Sequence, residues 1–106
     1  MPYQNPDYQK TSNGCGSKGI TIDAKLLPKP QMELCCDAHD FCYDTCNSGK
    51  SNCDTVFRNC LLEVCGTQKS AKLLYCKATA ELFYDIVKDI GCSSYLDAQR
   101  NTCLCP

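Results

Sequence analysis

The run Cys35-Cys36-Asp37-Ala38-His39-Asp40-Phe41-Cys42-Tyr43 holds the only histidine of the chain, between cysteines at helical spacing and beside a carboxylate. An imidazole exchanges protons near neutral pH, and it serves best as a base when a carboxylate on one ring nitrogen fixes its tautomer. Asp54, one residue after Cys53, is a candidate for that carboxylate. A bridge between Cys42 and Cys53 would bring Asp54 to His39 and Tyr43, which stand one turn apart on the facing helix. His39 and Asp54 are therefore a candidate general-base pair, with Tyr43 as a hydrogen-bond partner of Asp54. Asp40 points about 100° further around the helix and is a candidate metal ligand beside the base. Upstream, Gly14-Cys15-Gly16-Ser17-Lys18-Gly19 is backbone able to turn tightly and to offer carbonyl oxygens, hard donors that suit Ca²⁺. If Cys15 is tied to Cys36, the carbonyls of Gly14, Gly16 and Lys18 are drawn toward Asp40.

These residues need helices to hold them. From Gln31 to Cys46 the apolar and cysteine positions Met32, Cys35, Cys36, His39, Cys42, Tyr43 and Cys46 form one helical stripe, preceded by Pro28 and Pro30. Asn47-Ser48-Gly49-Lys50-Ser51-Asn52 reads as a turn, with Asn52 as the expected N-cap of the next helix. That helix carries Phe57, Cys60, Leu61, Val64 and Cys65 on one face and is expected to stop near Gly66. Two helices joined by a short turn run antiparallel. Cysteines 35 and 42 have the same separation as 53 and 60, so the pairs 42–53 and 35–60 suit an antiparallel pair stapled two turns apart. A third helix is expected over 70–90, with Cys76, Ala80, Phe83, Val87 and Ile90 on one side and Gly91 as C-cap. One short helix is expected around 95–100, and no strand is legible.

Twelve cysteines in 106 residues indicate a disulfide framework formed in an oxidising compartment, hence a secreted protein. In a chain this short each bridge contributes about 2–4 kcal/mol. The first residues lack the basic and apolar regions of a signal peptide, so the chain reads as a mature or trimmed form. Eleven basic and twelve acidic residues give a net charge of −1, no electrostatic footprint for nucleic acid and only weak attraction to an anionic membrane. No apolar run approaches the roughly 20 residues that span a bilayer. The alternatives for the chemical residues are a hydrogen-bonded, idle core histidine, a Cys/His zinc site, a solvated Asp40 and a glycine segment that is only a turn. Matched spacings across so many cysteines favour bridges over zinc.

The run Cys35-Cys36-x-x-His39-Asp40-x-Cys42-Tyr43 resembles the active-site helix of secreted phospholipases A2, and Cys53-Asp54-x-x-Phe57-x-x-Cys60-Leu61 is similar to the second long helix of that superfamily. Gly14-Cys15-Gly16-Ser17 resembles the calcium loop of the group XII branch, and residues 92–105 resemble its C-terminal segment. The resemblance implies an all-α, disulfide-rich fold: two antiparallel, disulfide-linked long helices plus a third, with the Gly-rich calcium loop before the first. Residues 1–12 are then an irregular arm and 13–106 the phospholipase A2-like domain. The implied activity is Ca²⁺-dependent hydrolysis of the sn-2 ester of glycerophospholipids by a monomer working peripherally at a phospholipid membrane or micelle surface. His39 would activate water with Asp54 behind it, Asp40 and the carbonyls of Gly14, Gly16 and Lys18 would hold Ca²⁺, and the Gly16 amide would complete an oxyanion hole. The resemblance also implies the bridges Cys15–Cys36, Cys35–Cys60 and Cys42–Cys53, and leaves open the pairing of Cys46, Cys65, Cys76, Cys92, Cys103 and Cys105.

Two departures bear on this reading. Gly14 and Lys18 stand where most relatives carry an aromatic residue and a glycine, which implies a looser hold on calcium, and the short turn between the long helices leaves no room for the β-wing of larger members. Ile20, Ile22, Leu26 and Leu27 are either a lipid-docking collar or packing under the loop. With no Trp and near-neutral charge, strong adsorption to membranes is not expected. The rival function is a catalytically silent relative that binds lipid or a receptor. An inert extracellular scaffold would leave the acid–base pair unexplained.

Overall fold

A computed structural model describes residues 2–10 and 28–104. The element order is β1 (Tyr3–Gln4), α1 (Lys29–Tyr43), α2 (Lys50–Cys65), α3 (Ser70–Ile90), α4 (Cys92–Thr102) and β2 (Cys103–Leu104). Apart from these two short strands the fold is all-α and disulfide-rich, as the resemblance implies.

α1 starts with Pro30 in its first turn, where a missing N–H costs nothing. Its buried face is Met32, Cys35, Cys36, His39 and Tyr43. The helix ends before Cys46, earlier than the stripe suggested, because the chain is caught from outside the helix. The Thr45 hydroxyl bonds back to the Phe41 carbonyl, and the Gln99 side-chain amide donates to the carbonyls of Tyr43 and Thr45. α2 then begins at Lys50 rather than after Asn52. Gly49 adopts φ +81°, a conformation open to glycine, and reverses the chain there, so Asn52 lies inside the first turn and is not the cap.

Bridges Cys35–Cys60 and Cys42–Cys53, each with Cα atoms 5.7 Å apart, make α1 and α2 antiparallel in the expected register. α3 folds back on α2 and is tied to it by Cys65–Cys76 and by an Arg58–Glu81 ion pair of 2.7 Å. Met32, Phe57, Leu61, Ala80, Phe83 and Val87 close the core around the cystine sulfurs. Each fully buried large side chain among them contributes about 1.5–3 kcal/mol. Ile90, expected on this face, is instead 57 % exposed at the C-terminal end of α3.

α4 is longer than the short helix expected and begins directly after Gly91. Its end, with β2, closes over the α1–α2 turn. Cys46–Cys103 links the two, Thr102 is fully buried with its hydroxyl on the Asp44 carbonyl, and Gln4 of β1 bonds Thr102 and the Cys46 amide. β1 and β2 pair antiparallel, Tyr3 opposite Leu104 and Gln4 opposite Cys103. This corrects the expectation of no strand: two residues are too few for alternation to show in a sequence.

Of the bridges left open, Cys46–Cys103 and Cys65–Cys76 are now assigned, and Cys92 is an exposed thiol. Cys36 is also disulfide-bonded. Cys15, the partner that the resemblance gives it, lies outside the described residues, as does Cys105.

Candidate active site

The C-terminal half of α1 and the first turns of α2 face each other beside the Cys42–Cys53 bridge, and this staple fixes the site. His39 Nε2 lies 2.7 Å from Asp54 Oδ1. Tyr43, one turn along α1, donates its hydroxyl to the same oxygen at 2.6 Å. The other oxygen, Oδ2, accepts the Lys50 ammonium at 2.6 Å. The ring of His39 is clasped by Tyr43 and Phe57, with centroids 4.2 and 4.6 Å away. Tyr95 of α4 meets the Tyr43 ring edge-on at 5.3 Å, and its hydroxyl accepts the Gly49 amide. His39 and Asp54 are only 7 % and 3 % exposed, yet every buried side-chain polar atom among the described residues has a partner.

Burial and hydrogen bonding pull the titrations in opposite directions. Burial of Asp54 pushes its carboxyl up, but hydrogen bonds from His39, Lys50 and Tyr43 outweigh it and hold the group below its ordinary 3.8. Asp54 is therefore a carboxylate, an acceptor only, so His39 Nε2 carries the proton of the shared bond and Nδ1 is the basic nitrogen. For His39, burial is the largest influence and holds the imidazolium below its ordinary 6.5 against the attraction of Asp54 and Asp40. Tyr43 is pushed well above its ordinary 10.0, first by burial and then by Asp54, and stays a phenol that donates.

Comparison with known proteins gives the same direction as this geometry. The sequence-family model described as group XII secretory phospholipase A2 precursor matches residues 1–106. The chain belongs to the group XII secretory phospholipase A2 family. It is 40 % identical to the human group XIIA secretory phospholipase A2, over 98 % of this chain and 58 % of the relative, and 40 % identical to the mouse group XIIA protein over 88 % and 50 %. It is 34 % identical to the mouse group XIIB secretory phospholipase A2-like protein, over 98 % of this chain and 58 % of that one. The chain thus spans about half the length of the curated relatives it matches. No solved structure matches it. The family is secretory by name, and no helix among the described residues is long and apolar enough to cross a membrane.

Within this group XII chain the fold brings His39, Tyr43 and Asp54 together as the sequence suggested. Asp40 sits half-buried on α1, the next residue after His39, and its charge is felt by both His39 and Tyr43. Gly14, Gly16 and Lys18, and the apolar residues Ile20, Ile22, Leu26 and Leu27, lie outside the described residues. Three contributors were not singled out in the sequence. Lys50 is one, although its spacing of four from Asp54 on a helix was readable. Phe57 reads in the sequence as core, whereas it also walls the imidazole. Gly91 reads in the sequence as a helix cap, but a Cβ there would come 2.8 Å from the Tyr43 hydroxyl and also press against the Val87 carbonyl oxygen. No local pattern announces that contact, because α1 and α3 meet only in the folded chain.

Proposed function

We propose that this chain is a secreted, Ca²⁺-dependent phospholipase A2 that hydrolyses the sn-2 ester of glycerophospholipids at a membrane or micelle surface, with residues 13–106 as the catalytic unit. The observation that carries this reading is the 2.7 Å His39–Asp54 pair in a chain of the phospholipase A2 family. In the reaction Nδ1 of His39 takes a proton from water as that water adds to the sn-2 carbonyl carbon. Asp54, fixed as a carboxylate, stabilises the resulting imidazolium. His39 then returns the proton to the departing glycerol oxygen as the ester C–O bond breaks, releasing a fatty acid and a lysophospholipid. No acyl-enzyme is needed. Tyr43 and Phe57 exclude water from the far side of the ring and keep it in one orientation.

Asp40 supplies a hard anionic oxygen beside the base. No group of three ligating side chains occurs among the described residues. That donor chemistry fits Ca²⁺, which accepts backbone carbonyls and water as its other ligands. Asp40 would hold it with the carbonyls of Gly14, Gly16 and Lys18, and the bound ion would supply positive charge to the ester carbonyl and phosphate, next to the Gly16 amide. The test is release of fatty acid from sn-2-labelled phospholipid during a Ca²⁺ titration. The reading expects saturable activation and complete loss with EDTA; activity indifferent to EDTA contradicts it. Replacing Lys18 by glycine is expected to tighten calcium, and an unchanged affinity removes its carbonyl from the ligand set.

A second reading, a silent lipid- or receptor-binding module, is favoured by the likeness to a relative named only as phospholipase A2-like and by Lys18 at the third carbonyl position. It expects association with lipid vesicles and no fatty acid release at any Ca²⁺ concentration.

A further inference from the structure

Lys50 stands where elementary helix electrostatics disfavours it. It is the first residue of α2, and a cation at that end faces the positive pole of the helix dipole. Its partner Asp54 follows at i+4, the weaker of the two orders for an intrahelical ion pair. The reason for a lysine here lies across the helix boundary. Its ammonium has three protons, and the structure offers three acceptors: Asp54 Oδ2 at 2.6 Å, the Val87 carbonyl at 2.9 Å and the Lys88 carbonyl at 3.2 Å. The two carbonyls belong to the last turn of α3, the negative end of that helix, where a cation is favoured. One side chain therefore joins the supporting acid of the site to the C-terminal end of a third helix.

The division of Asp54 between its two oxygens gives this node its consequence. His39 and Tyr43 both use Oδ1, and Lys50 takes Oδ2. With Oδ2 held, the carboxylate cannot swing about its bond and exchange oxygens, so Oδ1 stays on the imidazole N–H. Without the ammonium, Oδ2 would be an anionic oxygen in a side chain only 4 % exposed with no donor, a costly arrangement that is relieved by rotation or by taking up a proton. Either relief loosens the imidazole.

We propose that Lys50 is a positioning residue of the site: through Asp54 it fixes the orientation and tautomer of His39, and it places that acid under the control of where α3 ends. The proposal rests on the phospholipase reading for its effect on turnover, but not for its effect on the ring. The two can be separated because this is a single-histidine chain, in which one imidazole gives the whole ¹⁵N ring spectrum. The experiment compares the full chain with Lys50→Met and Lys50→Arg by imidazole ¹⁵N spectra and by steady-state kinetics on a short-chain phospholipid with saturating Ca²⁺. Lys50→Met is expected to mix the two tautomers and lower kcat about 10–100-fold, as loss of a group that orients a reactive side chain through its hydrogen-bond partner does, with KM little changed. Lys50→Arg, which keeps a cation at Oδ2, is expected to recover the single tautomer and most of kcat.

A Lys50→Met chain that keeps one tautomer and the parental kcat overturns the proposal, and so does a Lys50→Arg chain as impaired as Lys50→Met. Should Lys50→Met fail to fold, the parental chain decides: an ammonium held by three acceptors gives slowly exchanging Nζ protons, and their absence refutes the node. If the parental chain releases no fatty acid, the phospholipase reading falls while the ring spectra still judge Lys50.

Discussion

The two ends of the α1–α2 pair are built on one helical register and stabilised in different ways. Along α2 the buried residues run Cys53, Asp54, Phe57, Leu61 and Cys65, from a carboxylate with three hydrogen-bond partners to a wholly apolar contact. At the Asp54 end, beside Cys42–Cys53, every buried polar atom is placed by a specific partner. Toward Cys65, beside Cys35–Cys60 and Cys65–Cys76, Met32, Leu61 and Phe83 fill volume and nothing else. The polar end should therefore fail by loss of chemistry with the fold intact, and the apolar end by loss of stability with the chemistry of each folded molecule intact.

The sharpest way to break that contrast is His39→Gln. On the proposed reading, in which His39 is the general base, this is expected to lower turnover by about 10²–10⁴-fold while helix content and thermal midpoint stay near those of the parent. Measured per folded molecule, residual turnover close to the parental rate would point to another base. At the other end, Leu61→Ala removes a fully buried side chain and should cost about 2–5 kcal/mol in denaturant unfolding. Its kcat should be unchanged in the molecules that remain folded. Gly91→Ala joins the two modes, because its methyl meets both the Val87 carbonyl and the Tyr43 hydroxyl. Overpacking of about 1–3 kcal/mol is expected together with a fall in kcat, and a change in stability alone would show that Tyr43 can yield without disturbing Asp54.

Protonation is the one change at the polar end expected to cost stability as well as chemistry. His39 titrates below its ordinary 6.5 in the folded chain and Asp54 below its ordinary 3.8. The unfolded chain then binds more protons in each window, so both groups contribute stability that is complete above the unfolded value and is lost as pH falls through the folded one. The thermal midpoint should fall on acidification below 6.5 and again below 3.8. The acidic limb of the rate profile should have its midpoint below 6.5, and a cation held at Asp40 would lower it further. A midpoint above 6.5 would mean that Asp54 outweighs burial. The smallest effect is expected at Arg58, whose ion pair with Glu81 is more than a third exposed on both sides. Arg58→Ala should cost about 0–1 kcal/mol, less at high salt, with no change in turnover.

How far the chain could be read before folding depended on whether a feature was periodic or a matter of contact. The helical stripes, the staples Cys35–Cys60 and Cys42–Cys53, and the approach of Asp54 to His39 follow from spacing on two antiparallel helices, and all three are present. The end of α1 and the start of α2 lie about three residues from where the sequence puts them, because they are set by Gln99, Thr45 and Gly49 rather than by period, whereas the end of α2 falls at Gly66 as expected. Cys46–Cys103 joins the α1–α2 turn to the C-terminal segment and β1 pairs with β2 about 100 residues away, and neither separation nor a two-residue strand leaves a pattern to read. Lys50 and Gly91 act between helices, where sequence proximity gives no hint.

The most direct test of the central claim, that the stapled helices hand the carboxylate of Asp54 to Nε2 of His39, is the ¹⁵N and ¹H spectrum of the lone imidazole in the full chain above its titration. The structure predicts a single tautomer protonated at Nε2, with a slowly exchanging ring proton that disappears in Asp54→Leu. A ring protonated at Nδ1, or one averaging between both forms in the unaltered chain, would contradict the account.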